Sequence, residues 1–140
     1  MGADPRTLSP EFLAKIQGRK VDVPKMGPVA TGTNLIVRPT TDEDRLNKLE
    51  KSWLSILRKT HPEQNIGIQS ITLKLGDDSR YTPDFWTIDP NGQLIFWETK
   101  GWMRDDALVK LKTAARQFRW ARFILVNKVK GIFKEEPINP

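Results

Sequence analysis

Apolar residues recur along this chain at helical spacing, at strand spacing and in short continuous runs, and these patterns mark out its elements. Over residues 42–60, Leu46, Leu49, Trp53, Ile56 and Leu57 form one stripe at a 3.6-residue period, which predicts an amphipathic helix. Thr40 with Glu43, or Thr41 with Asp44, is spaced for a capping box, and Pro62 stands just past the other end. Glu50 falls inside the stripe, where a carboxylate is costly unless something pairs with it. Residues 66–75 alternate imperfectly and predict a strand, closed by the turn Gly76-Asp77-Asp78-Ser79. Residues 80–88 and 93–100 predict two further strands folded back at Asp89-Pro90-Asn91-Gly92, where Pro fixes φ and Gly accepts positive φ. Residues 104–118 repeat the helical pattern through Ala107, Leu108, Leu111, Ala114, Ala115 and Phe118. The run Arg122-Phe-Ile-Leu-Val126 then reads as a buried strand, and its place after a helix favours a parallel crossover.

The expected class is α/β, in the order α-β-β-β-α-β, with a mixed central sheet flanked by helices. Residues 1–40 hold five prolines and four glycines, with only a short helical pattern near Phe12, Leu13 and Ile16. They are expected to be a basic arm wrapping the domain, a partner or nucleic acid. Residues 41–128 then form the core and residues 129–140 a peripheral tail. At 140 residues the chain is long enough for one ordinary hydrophobic core. It has no cysteine, which removes thiolate metal sites and disulfides and fits a reducing cytoplasm. No run is apolar enough to span a membrane, and the first 20 residues lack a signal-peptide pattern, so no membrane partner is expected.

The chain carries +6 overall, divided as +3 over residues 1–40, −2 over 41–100 and +5 over 101–140. An acidic centre between basic flanks suits a polyanion that docks on the flanks while one phosphate approaches a metal at the centre. The acidic centre holds the candidate chemistry. Glu98 and Lys100 are two residues apart in a strand and share a face. Folding back at Asp89–Gly92 brings Asp84 level with Glu98, give or take a bulge at Gly92. Two carboxylates and an ammonium then converge, which is what a hard divalent cation and a phosphodiester require. Asp84 and Glu98 are the expected metal ligands, with the Thr99 carbonyl as a further donor, and Glu50 reaches the cluster if its helix packs on the sheet. Lys100 is placed to hold an attacking water or to offset transition-state charge. The plainer alternative is a cross-strand salt bridge between Asp84 and Lys100 on a solvated face.

Glu50, Pro83-Asp84, Glu98-Thr99-Lys100 and the following Gly101 resemble the PD-(D/E)XK nuclease superfamily. The run Tyr81-Thr82-Pro83-Asp84-Phe85, followed by Glu98-Thr99-Lys100-Gly101, is similar to small phage-type endonucleases, junction-resolving enzymes among them. The resemblance covers residues 42–126. It implies a restriction-endonuclease-like core, metal binding by Asp84 and Glu98, a catalytic Lys100 and a helical acid at Glu50. It further implies Mg²⁺, with Mn²⁺ able to substitute, and hydrolysis of DNA to 5′-phosphate and 3′-hydroxyl ends. A junction resolvase, acting as a homodimer, and a nuclease subunit of a recombination or transposition complex both fit it. A nucleic-acid-binding module without catalysis is the reading from another class. Arg80 and Tyr81 border the site, Trp102 is placed to stack on a base or sugar, and Lys112, Arg116 and Arg119 are placed to track a backbone. Lys110, Arg122 and Gln117 are weaker candidates for phosphate. Glu43 and His61 read as helix-capping residues.

Overall fold

The computed structural model describes residues 7–18, 34–100 and 105–138. Its elements are α1 (Pro10–Ile16), β1 (Leu35–Val37), α2 (Lys48–Thr60), β2 (Ile66–Ile68), β3 (Ile71–Lys74), β4 (Arg80–Tyr81), β5 (Phe85–Ile88), β6 (Leu94–Thr99), α3 (Asp105–Gln117), β7 (Arg122–Val129) and β8 (Ile132–Pro137). The class is mixed α/β, with three helices and two sheets among the described residues. One sheet has the order β1-β3-β4; the other, β2-β5-β6-β7-β8, is antiparallel except where β6 and β7 run parallel. That parallel pair is joined through α3, the crossover that the apolar pattern predicts.

Both faces of the five-stranded sheet are covered, so all six residues of β6 are buried. Leu94 and Phe96 point with Phe123 and Leu125 towards Leu111, Ala114, Ala115 and Phe118 of the α3 region. Ile95 and Trp97 point with Ile124 and Val126 towards Trp53, Leu54 and Leu57 of α2. The amino-terminal arm joins the first of these layers: Leu8, Phe12 and Ile16 are buried in it, and Thr7 bridges to Gln93. In its described part the arm therefore wraps the domain itself.

The sequence predicts single strands at 66–75 and 80–88, yet each divides and serves both sheets. The two chain segments form one bent hairpin. Between the pairs Ile68↔Phe85 and Leu73↔Tyr81, four residues on one arm face three on the other. Gln69 occupies the bend at φ 47, and its N–H bonds the carbonyl of Asp84. On the opposite arm Pro83 has no N–H for the ladder, so pairing is interrupted there by its chemistry. A bulge of this kind bends a strand and re-aims the side chains beside it.

Inside the bend, the Trp86 indole lies across Gly67 and donates to the Ser70 hydroxyl at 2.6 Å. A Cβ on Gly67 would sit 1.9 Å from Trp86 Nε1. Gly67→Ala is expected to destabilise the chain by about 3 kcal/mol, because the indole must move or the strands must part. Urea titration of wild type and variant measures this; equal midpoints would refute the close approach.

Three further expectations are corrected. Helix α2 begins at Lys48 rather than at residue 42, because Asn47 makes the capping box: its side chain accepts from Glu50 N–H and Glu50 accepts from Asn47 N–H. Neither threonine pair forms a box, and Glu43–Arg45 is a short 3-10 turn capped by Asp42. Glu43 instead pairs with Arg58 at 2.6 Å. The segment from residue 129, expected as a tail, instead ends β7, turns at Lys130-Gly131 and forms β8, which pairs back on β7.

Candidate active site

The hairpin between β5 and β6 sets the site. Asp89 accepts from the N–H groups of Asn91 and Gln93, Gly92 takes φ 78, and Asp89 N–H bonds the Gln93 carbonyl. A three-residue loop with a left-handed last residue fixes the register without slippage. Phe85 faces Trp97, so Asp84 is level with Glu98 at the end of the ladder. Both carboxylates are buried, at 7% and 6% exposure, although each is ionisable. Side chains of that kind are almost never fully buried without a partner.

Each carboxylate is pinned by named donors. Asp84 Oδ2 accepts from Thr99 N–H at 2.9 Å and from the Thr99 hydroxyl at 3.0 Å. Glu98 Oε2 accepts from the Tyr81 hydroxyl at 2.7 Å. Lys100 Nζ stands 3.6 Å from Glu98 Oε1 and is half-exposed, so it reaches from the pair towards solvent. Burial lifts Glu98 to about 7, and the neighbouring Asp84 charge adds to the lift against the opposing Tyr81 and Lys100. Burial likewise raises Asp84, helped by the Glu50 charge and opposed by the Thr99 donors and Lys100. Burial and then the Glu98 charge push the Tyr81 hydroxyl well above its ordinary range, which keeps it a proton donor. Two carboxylates that both resist ionisation at one strand end carry a repulsion that a bound cation would relieve.

Glu50 approaches from α2 on the other side of the sheet. It is half-buried, its side chain closes the α2 capping box, and its charge is felt at Asp84. The partner that its place in the apolar stripe demands is therefore the helix's own first turn. Among the described residues no group of three or more His, Cys, Asp or Glu side chains is arranged to hold a metal. The donor set is two carboxylates. That number suits Mg²⁺, which usually retains waters and takes one or two carboxylates plus substrate phosphate. Oxygen donors alone, with no thiolate or imidazole near, also favour a hard cation over zinc.

Of the sequence-predicted residues, the structure brings together Asp84, Glu98, Lys100 and Thr99, while Glu50 stays in the α2 cap and reaches Asp84 only through its charge. The Thr99 side chain, although strand alternation sets it on the face opposite Glu98, turns to the carboxylate it anchors. Tyr81, read from the sequence as bordering the site, is a partly buried support for Glu98. Arg80 lines a polar depression of about 370 Å³ with Asn34, Lys74 and Gln117. Gln117 donates there to the Leu75 carbonyl and is not aimed at the carboxylates. Lys112, Arg116 and Arg119 are exposed, and the Arg119 guanidinium bonds the Arg116 carbonyl rather than the site. Gly101 and Trp102 lie outside the described residues. His61 caps α2 as expected, its N–H bonding the Leu57 carbonyl. The supporting roles of Tyr81 and Thr99 left no periodic signal. Only their nearness to the two acids in sequence pointed to them. No protein-family profile matches this chain, and no curated protein matches it.

Proposed function

We propose that this chain is a metal-dependent DNA endonuclease built on a PD-(D/E)XK type of core, hydrolysing phosphodiester bonds to 5′-phosphate and 3′-hydroxyl ends. The observation that carries this reading is the convergence of two buried, protonation-prone carboxylates with Lys100 at one strand end. Support also comes from the order of elements: α2, the β5–β6 hairpin and the β6–α3–β7 crossover follow the order that the resemblance implies.

Asp84 and Glu98 would hold the cation, with the Thr99 carbonyl beside them. When bound, Mg²⁺ or Mn²⁺ supplies charge neutralisation for the phosphoryl oxygens and a more acidic water. The chain's own residues do the rest. Thr99 and Tyr81 fix the carboxylates, so neither needs to reorganise when charge builds on the phosphate. The Lys100 ammonium, reaching outward from Glu98, meets the phosphodiester and offsets that charge or orients the attacking water. Glu50, already engaged at the helix cap, acts on Asp84 through its charge. Burial of the pair excludes bulk water and strengthens each of these interactions.

The test is a cleavage panel of linear duplex, nicked duplex, single strand, flap and four-way junction, with Mg²⁺, Mn²⁺ or EDTA. Cutting that needs metal and is lost in Lys100→Ala, by roughly a hundredfold or more, is the expected result. The preferred member distinguishes a junction resolvase or a recombination subunit from a general endonuclease. Binding without cutting of any member in either metal would replace this reading with a non-catalytic nucleic-acid-binding module.

A further inference from the structure

We infer that the hairpin of β7 and β8 is a nucleic-acid-docking ribbon that holds the substrate beside the carboxylate site; the position of the cut relative to it rests on the nuclease reading, while the docking does not. Strand β7 runs parallel to β6 with Leu125 opposite Glu98, and then continues past the end of β6 to Val129. The last ladder pair, Val129↔Ile132, therefore projects beyond the site by four residues, about 13 Å along the strand. One strand of a duplex rises ~3.4 Å per phosphate, so this reach corresponds to about four base steps.

Alternation then decides what the ribbon presents. Leu125 faces the α3 layer, so Asn127 and Val129, with their partners Lys134 and Ile132, continue the face that carries Glu98 and Lys100. The opposite face is anchored: Phe133 packs on Trp53 at 5.1 Å, and Lys128 lies over the Phe133 ring at 5.1 Å. One side is thus fixed to the body and the other is open.

The open side has an unusual composition. Among the described residues three large hydrophobics are exposed, and two of them are Val129 at 45% and Ile132 at 67%. Between Asn127 and Lys134 the chain has no acidic residue; Lys134 lies on the open face and Lys130 in the turn, while Lys128 belongs to the anchored face. The turn is formed by Lys130 at φ 51 and Gly131 at φ 79, the left-handed geometry of a two-residue hairpin loop. Asn or Gly normally takes the first of these positions. A lysine there sets a cation at the outermost point of the ribbon.

Two-stranded ribbons fit a DNA groove, cations along the edge neutralise phosphates, and apolar side chains at a tip wedge between bases. An apolar tip flanked by Lys130 and Lys134 matches a polyanion with stacked bases and suits an acidic peptide less well, because nothing on the ribbon is shaped to pair individual carboxylates.

The experiment measures binding of the full chain to a labelled duplex by fluorescence anisotropy in EDTA, where affinity is read without cleavage. The variants are Lys130→Asn with Lys134→Gln, and Val129→Thr with Ile132→Thr, chosen to keep turn and strand propensity. The charge pair is expected to reduce the slope of log affinity against log salt by about 2. The apolar pair is expected to weaken binding by about tenfold at an unchanged slope. If the threonine pair also lowers the melting midpoint, the charge pair decides alone. Affinity and slope equal to wild type in the charge pair would overturn the ribbon. So would a shift from dimer to monomer at unchanged affinity per chain, since the hairpin would then be an interface between copies. Hairpin-dependent binding by a wild type that cuts nothing with Mg²⁺ or Mn²⁺ would support the ribbon and end the nuclease reading. Cutting with hairpin-independent binding would do the reverse.

Discussion

Asp84→Asn is expected to lower metal-dependent cleavage by roughly 10³-fold while leaving the chain folded. Asparagine keeps an oxygen to accept the two Thr99 hydrogen bonds, so the end of the hairpin retains its anchor. What disappears is the negative charge. With one of two carboxylates neutral, a divalent cation loses half the charge that holds it, and Lys100 loses a neighbour that offsets its own. Initial rates over a Mg²⁺ titration measure the effect, with near-ultraviolet circular dichroism as the control on folding. A variant that cuts at the wild-type rate would remove Asp84 from the chemistry and return it to a structural role at the strand end.

The second large effect concerns stability. In EDTA, Glu98→Gln is expected to stabilise the chain by about 2 to 3 kcal/mol at pH 8 and by almost nothing at pH 4. The sign follows from proton binding. The Glu98 carboxyl titrates near 7 in the folded chain, against 4.5 for an unperturbed glutamate, so between those values the folded state holds more protons than the unfolded one. Stability from this group is therefore highest below about 4.5 and falls as pH rises through about 7. Glutamine keeps an acceptor for Tyr81 and never acquires the buried charge, so the variant escapes the fall. The reading is the difference between wild type and variant across pH, which cancels the carboxylates they share. Adding Mg²⁺ to the wild type at pH 8 should narrow the gap, since a ligand that binds only the folded state stabilises it. A difference that does not vary with pH would mean that Glu98 ionises freely, and that the site is not primed for a cation.

The position of the two acids was legible in the sequence for a definite reason. A five-residue link from Asp89 to Gln93 has few stable geometries, and an alternation of two then brings Asp84 to within one position of Glu98, which the observed register makes direct. The α3 crossover was legible because a short apolar run after an amphipathic helix has few places to go. The bend was not. Nothing about glutamine announces a positive φ at position 69, and Pro83 signals an interruption without saying that the strand resumes in another sheet. The start of α2 was obscured by competition: Thr40, Thr41, Asp42 and Asn47 are all competent caps within eight residues, and packing of Leu46, Trp53 and Leu57 on the sheet selects among them. The arm was misleading because its proline and glycine content suggested looseness, while three apolar side chains in it close one layer of the core. Strand β8 left almost no pattern, since most of its side chains are exposed and its pairing is carried by the backbone.

That lack of pattern has a consequence for the behaviour of the chain in concentrated solution. Strand β8 forms one rim of the five-stranded sheet and ends in Lys134, Glu135, Glu136 and Pro137. Sheet rims recruit foreign strands, and successive charges with a proline that donates nothing are the means by which natural proteins prevent it. A rim of this make-up turns away stray extended peptides and protects the protein against fibrous aggregation.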